Sequence, residues 1–200
     1  MEYKTAIFDL SEVLISGIVG IEKLLVSQLN ADEAQILMAF SGDNLKKLCS
    51  GKMTEDQYIK TIKREQNWKI SPQKLKAIIR INFNNVIKGM PGFMKEISTT
   101  YEMILYSDHS REWIDYILLQ HSFLKIFKTK IFSFDLEKTK NEKGSFELML
   151  SKINKTSNEC IFVDDNAMNI ANAATAGIES ILFINCEDLR SKLSFVSHLS

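Results

Sequence analysis

The sequence predicts an α/β fold, a doubly wound parallel sheet carrying a helical insert after its first strand. Three observations lead there. A short apolar run, Ala6-Ile7-Phe8, stops abruptly at the carboxylate Asp9. Residues 21–87 keep a helical period almost throughout and contain no convincing strand. From Met103 onward β-type runs alternate with helices, the rhythm of right-handed crossovers in a parallel sheet.

The first strand, 6–8, is apolar on both faces, as a strand covered by two helix layers requires. After Leu14 the strand character ends, and Gly17 and Gly20 break up the connector. Ile21, Leu24, Leu25 and Leu29 then share a helix face, and Ile36, Leu37 and Phe40 share another behind an Asp32 cap. Leu45, Leu48 and Cys49 mark a short helix closed at Gly51. Thr54 and Gln57 have capping-box spacing ahead of Tyr58, Ile59 and Ile62. Ser71-Pro72, a cap followed by proline, opens a helix through Leu75, Ile78, Ile79, Phe83, Val86 and Ile87. Gly89-Met90-Pro91-Gly92 is the strongest punctuation and marks the return to the main fold. A short helix with Phe93 and Ile97 follows, then strand 103–106, helix 110–121 and strand 130–132. A helix from about Gly144 aligns Phe146, Met149, Leu150 and Ile153, and strand 160–163, helix 166–176 closed by Gly177, strand 180–184 and a last helix from Glu187 complete the chain.

Two hundred residues at 45% hydrophobic content suffice for one main core with a small accessory unit. The expected division is a core of 1–15 and 89–200 with a helical cap of 16–88. Lys+Arg and Asp+Glu number 25 each, so the balanced charge offers no broad basic surface and no nucleic-acid partner is expected. No apolar run approaches the ~20 residues of a membrane span, and no leader-like pattern precedes the first strand. A cytoplasmic protein, monomer or homodimer, with no membrane partner is the expectation. Cys49, Cys160 and Cys186 are scattered and odd in number, which points to reduced, buried thiols.

In open parallel sheets reactive groups collect beyond the carboxyl ends of the strands. Four such ends are polar here. The first presents Asp9, the second Ser107 and Asp108, and the fourth the adjacent pair Asp164 and Asp165. After the third comes the lysine-rich loop 137–143. Each also has a plain structural explanation, as a helix cap, a turn or a solvated run. Together, three carboxylates, a hydroxyl and an ammonium converging on one crevice suit a hard divalent cation, most simply Mg2+, with a phosphoryl group held against it.

The order and spacing of these residues resemble the haloacid dehalogenase (HAD) superfamily, in particular its phosphatase-like members with an α-helical cap. The resemblance covers essentially the whole chain, and its most specific piece is 161–170 with Ala173, Ala174, Ala176 and Gly177 behind it. It implies that Asp9 is the nucleophile, that Ser107 and Lys140 hold the phosphate, and that Asp164 and Asp165 bind magnesium with Asp9 and the Ser11 carbonyl. Lys140 is chosen because it stands six residues before the helix aromatic Phe146, with Lys138 and Lys143 as alternatives. Asn169 would order the metal loop or be an ordinary exposed polar residue. Two departures stand out. The family's acid–base aspartate is replaced by Ser11, a poor general acid, and the lysine loop lacks the family's prolines. Glu12 could substitute for the acid, although an extended backbone there would turn its side chain to the opposite side. His109 could reach the site, but a cap or a solvent-facing position is the commoner place for such a residue. Trp113 reads as core, and His121 and His198 have no partner pattern. The expected activity is magnesium-dependent hydrolysis of a small phosphorylated metabolite. Alternatives are a HAD-fold phospho-ligand binder or interaction protein with little turnover, and a metal-independent dehalogenase.

Overall fold

The computed structural model describes residues 3–198, with side chains through Ser194. Five strands form one parallel sheet in the order β3-β2-β1-β4-β5: β1 Thr5–Phe8, β2 Glu102–Ser107, β3 Thr129–Phe132, β4 Cys160–Asp164 and β5 Glu179–Leu182. Each expected strand is present, with ends shifted by one or two residues. The central strand is wholly buried, and Phe8 pairs with Leu105 on one side and Val163 on the other. That register sets the carboxyl ends of β1, β2 and β4 side by side. Because β1 to β2 to β3 runs one way and β4 returns to the other flank of β1, the switch point of the topology lies next to Asp9.

Side-chain alternation along the strands divides the core in two. Ile7, Ile104, Tyr106 and Phe162 pack against α9 (Ser145–Ile153) and α10 (Ala167–Thr175) through Phe146, Met149 and Ala173. Ala6, Phe8, Met103, Leu105, Ile161 and Val163 face the opposite layer, built on α6 (Met90–Ile97), α7 (Arg111–Gln120) and α11 (Cys186–His198). Phe8 is fully buried and its ring meets the edge of Phe127, so Phe8→Ala would cost about 3–5 kcal/mol.

Between β1 and α6 the chain forms five helices: α1 Ile21–Leu25, α2 Glu33–Ala39, α3 Gly42–Cys49, α4 Glu55–Glu65 and α5 Pro72–Phe83. Their starts follow the capping chemistry. Asp32 and Thr54 each complete a capping box, with Gln35 and Gln57, and Ser71 Oγ accepts from the Lys74 N–H ahead of an N-terminal proline. Their buried residues, including Phe40, Tyr58, Ile79 and Phe83, join the layer above Phe8 without a break. The two connections to this segment pair with each other, since Ile15 bridges Val86 antiparallel and the Ile87 N–H donates to the Leu14 carbonyl.

Several local expectations are corrected. The first insert helix is a short one, so Leu29 lies beyond it and Leu24 is 41% exposed. Helix α5 ends at Phe83, and Val86 and Ile87 sit in the extended return segment, where the sheet-like bridge to Ile15 takes the backbone groups a further turn would have used. A one-turn helix α8, Ser133–Leu136, follows β3 directly, too short to leave a periodic signal. The thiols are free as expected, but Cys186 is only half buried. His121 Nε2 donates to the Phe83 carbonyl from the end of α7, and the His198 side chain lies outside the described residues. No described helix is long and apolar enough to cross a membrane.

Candidate active site

Asp9 leaves β1 with its N–H bonded to the Val163 carbonyl, which fixes it beside the end of β4. It opens into a cavity of about 590 Å³ that Ser11, Ser107, Lys140, Asp165 and Asn169 also line. The carboxylates of Asp9, Asp164 and Asp165 each offer an oxygen within 4.8 Å of the others. Asp164 is fully buried, and the Asn169 amide donates to both of its oxygens, at 3.1 and 3.2 Å. Neither aspartate caps the next helix; Asn166 does, accepting from the Met168 N–H.

Lys140 is the lysine the loop delivers. It is 1% exposed, donates to Asp164 Oδ2 at 2.6 Å, and lies 2.7 Å from Asp9 Oδ1, close enough for charge pairing though not aligned as a hydrogen bond. Lys138 instead donates to the Lys143 carbonyl at the surface, and neither it nor Lys143 lines the cavity. The loop has lost its prolines but not its definition. The Lys140 N–H donates to both Asp108 oxygens, its carbonyl accepts from Ser145 Oγ and the Asn172 amide, and Glu142 accepts from the Thr139 N–H and hydroxyl. Side-chain bonds to the backbone do here what a fixed φ does elsewhere.

One ammonium does not balance this cluster. Burial works to lower the Lys140 pKa, but Asp164, Asp9 and Asp108 together raise it, so the lysine is charged. Burial pushes Asp108 up to about 7 despite Lys140, and burial with repulsion from Asp9 and Asp164 pushes Asp165 up to about 7. Burial likewise raises Asp164 against the pull of Lys140. Three oxygen-donor carboxylates in mutual repulsion fit a hard divalent cation, with Asp9, Asp164 and Asp165 as its holders. Ser107 Oγ, at the end of β2, is buried with no partner among the described residues, a donor left free beside Asp9.

Position 11 differs from expectation through its neighbours. Glu12 is not extended: its φ is 58°, and this left-handed turn brings it into the same cavity, where its carboxylate accepts from the Gly17 N–H at 2.7 Å. The expectation that Glu12 points away is therefore corrected, and burial raises its pKa. Gly17 is required there, since a Cβ on it would come within 2.7 Å of Ser11 Cβ and Oγ. His109 neither caps a helix nor faces solvent. Ser110 caps α7, while His109 is buried with Nε2 2.9 Å from Ser11 Oγ. Burial and the nearby Lys140 charge push its pKa down to about 3, so the ring is neutral. Trp113 is core, as expected, but it also forms cavity wall, as do Leu45, Lys46 and Cys49 of α3. No local sequence signal marks these, because α3 meets the site only after the insert folds back over it.

A family model of haloacid dehalogenase-like hydrolases matches residues 6–183. No curated protein sequence matches the chain. Among solved structures, it is similar to a HAD-like family hydrolase from Porphyromonas gingivalis (18% identity, 98% of each chain, TM-score 0.78). It is also similar to a HAD family enzyme from Bacteroides thetaiotaomicron, solved in complex with magnesium and inorganic phosphate (16% identity, 92% of this chain and 95% of that one, TM-score 0.76). A dehalogenase is more distant, at 13% identity and TM-score 0.70 over 89% of this chain and 83% of that one. With the match running from β1 through the end of β5 and an Asp9-centred site at the switch point of its sheet, this chain belongs to the haloacid dehalogenase-like hydrolases.

Proposed function

We propose that the chain is a magnesium-dependent phosphomonoesterase acting on a small phosphorylated metabolite. The observation that carries the reading is the placing of Lys140 between Asp9 and Asp164, with a free Ser107 hydroxyl in the same cavity. A dehalogenase needs no metal, and for it the Asp9, Asp164 and Asp165 cluster would be a cost without use. The Bacteroides relative's magnesium and phosphate complex supports the choice of cation and ligand.

In this mechanism Asp9 attacks phosphorus in line, forming an aspartyl-phosphate as the P–O bond to the leaving group breaks. Lys140 and Ser107 hold the transferring oxygens and stabilise the charge that builds on them. Asp9, Asp164, Asp165 and the Ser11 carbonyl would hold magnesium, which when bound supplies positive charge against the phosphoryl group. Water then cleaves the acyl-phosphate. The segment 16–88 acts as a cap, its α3 residues covering the cavity and limiting what fits. Its volume is that of a small-molecule site.

A second reading, a phospho-ligand binder with little turnover, is favoured by one observation: Ser11 is tied to His109 and carries no carboxylate. A screen of small phosphomonoesters with and without magnesium, run beside Asp9→Asn, tests both. Metal-dependent turnover that falls to background in Asp9→Asn is expected, because an amide is neither nucleophile nor anion. Near wild-type turnover in that variant removes Asp9 as nucleophile, and binding without turnover in the parent favours the second reading.

A further inference from the structure

Glu55, the first residue of α4, is 1% exposed and makes an unusual set of contacts for a buried carboxylate. Arg80 of α5 grips it from two nitrogens at 2.6 and 2.8 Å, Lys76 lies 3.2 Å away, and the Trp113 indole N–H of α7 donates to Oε1 at 2.9 Å. Its own N–H donates to Glu112. Burial alone would raise the Glu55 pKa, but the bonds from Arg80 and Trp113 hold it below the ordinary value, so it is a fixed anion. The indole it holds is not remote from chemistry. Trp113 and Phe83 meet the His109 ring edge-on, at 6.0 and 5.9 Å between centroids, and His109 Nε2 reaches Ser11 Oγ. The His109 backbone is tied to the same inserted segment by another route, since its N–H donates to Ser133 Oγ, whose hydroxyl donates to the Cys49 carbonyl at the end of α3.

Both ring and backbone of His109 thus depend on where α3 and α4 sit. We propose that Glu55 is a positioning residue for the pocket: it sets the Trp113 indole, the indole sets the His109 imidazole, and His109 fixes the Ser11 hydroxyl beside Asp9. Seating of the insert on α7 and alignment of His109 are then one event. Directional bonds are what make this possible, because an apolar side chain at position 55 would fill space without orienting the indole. The alternative is that the Glu55 cluster only welds the insert to the sheet and leaves His109 indifferent to it.

The test is spectroscopic and does not rest on the proposed phosphatase activity. Trp113→Phe keeps a ring but deletes the N–H donor. With ¹⁵N-labelled histidine, the His109 Nε2 resonance should shift in Trp113→Phe and in Glu55→Gln in the same direction as in Ser11→Ala. Placed in the Ser11→Ala background, Trp113→Phe should move the resonance much less, because the hydroxyl being positioned is gone. An unmoved His109 resonance in both folded variants overturns the proposal, as does an equal shift in the parent and Ser11→Ala backgrounds. Should Trp113→Phe not fold, the Glu55→Gln resonance decides.

Discussion

Lys140 Nζ donates to Asp164 Oδ2 at 2.6 Å, with both side chains buried. The residues are separated by 24 positions and by all of α9, and their meeting closes the floor of the site. Breaking a buried pair leaves the remaining charges in a poor solvent, typically at about 3–5 kcal/mol. Lys140→Met should therefore lower the melting temperature of the metal-free protein by roughly 10 °C, and magnesium should restore part of it by replacing the lost positive charge. Thermal melts with and without magnesium check this. Parent-like melting of the variant without metal would show that the pair adds nothing to stability.

Asp164 and Asp165 differ in setting, and their variants should differ accordingly. Asp164 accepts from Lys140, the Asn166 N–H and Asn169, so Asp164→Ala strands several buried donors and should destabilise by about 2–4 kcal/mol besides weakening magnesium binding. Asp165 is more exposed, and Asp165→Ala should weaken magnesium binding by about tenfold or more at little cost in stability. Calorimetric titration with magnesium reads both. Parent-like affinities in the two variants would remove the metal site from this account.

The ionisation of the cluster gives a pH dependence. Asp108 and Asp165 stand near 7 when folded against an ordinary 3.8, so between those values the folded chain holds protons the unfolded chain has lost, and stability falls as pH rises. His109, pushed down to about 3 from 6.5, acts in the opposite sense, but only below about pH 6.5. Metal-free protein should consequently melt lower at pH 8 than at pH 6. Saturating magnesium selects the ionised cluster and should raise the melting temperature by at least about 3 °C at pH 8, and by less at pH 6. An identical magnesium shift at both pH values would contradict this.

The Ser11 hydroxyl is too weak an acid to protonate a poor leaving group, so aryl phosphates should react far faster than alkyl or sugar phosphates. General acid assistance is worth about 10²–10⁴-fold, and Ser11→Asp should raise alkyl phosphate turnover by at least about tenfold while changing aryl phosphates much less. His109 is placed to bond such a side chain. A folded, magnesium-binding Ser11→Asp variant that gains nothing on any alkyl phosphate would favour the binding-protein reading.

Strand and helix order and the polar residues at the strand ends were legible in the sequence. Burial of a strand or helix face leaves a period of its own, and glycine, proline and capping residues mark where it stops. Thus Ala6-Ile7-Phe8 before Asp9 announced a strand buried on both faces, and Thr54 with Gln57 announced α4. Tertiary structure alone decided which polar groups meet. It chose Lys140 over Lys138 and Lys143, turned Glu12 into the cavity through one left-handed residue, and brought His109 to Ser11 across 98 positions. It also stiffened the proline-free loop through Asp108, Ser145 and Asn172. Such contacts depend on strand order, loop dihedrals and the seating of the insert, and none of these leaves a period in the chain.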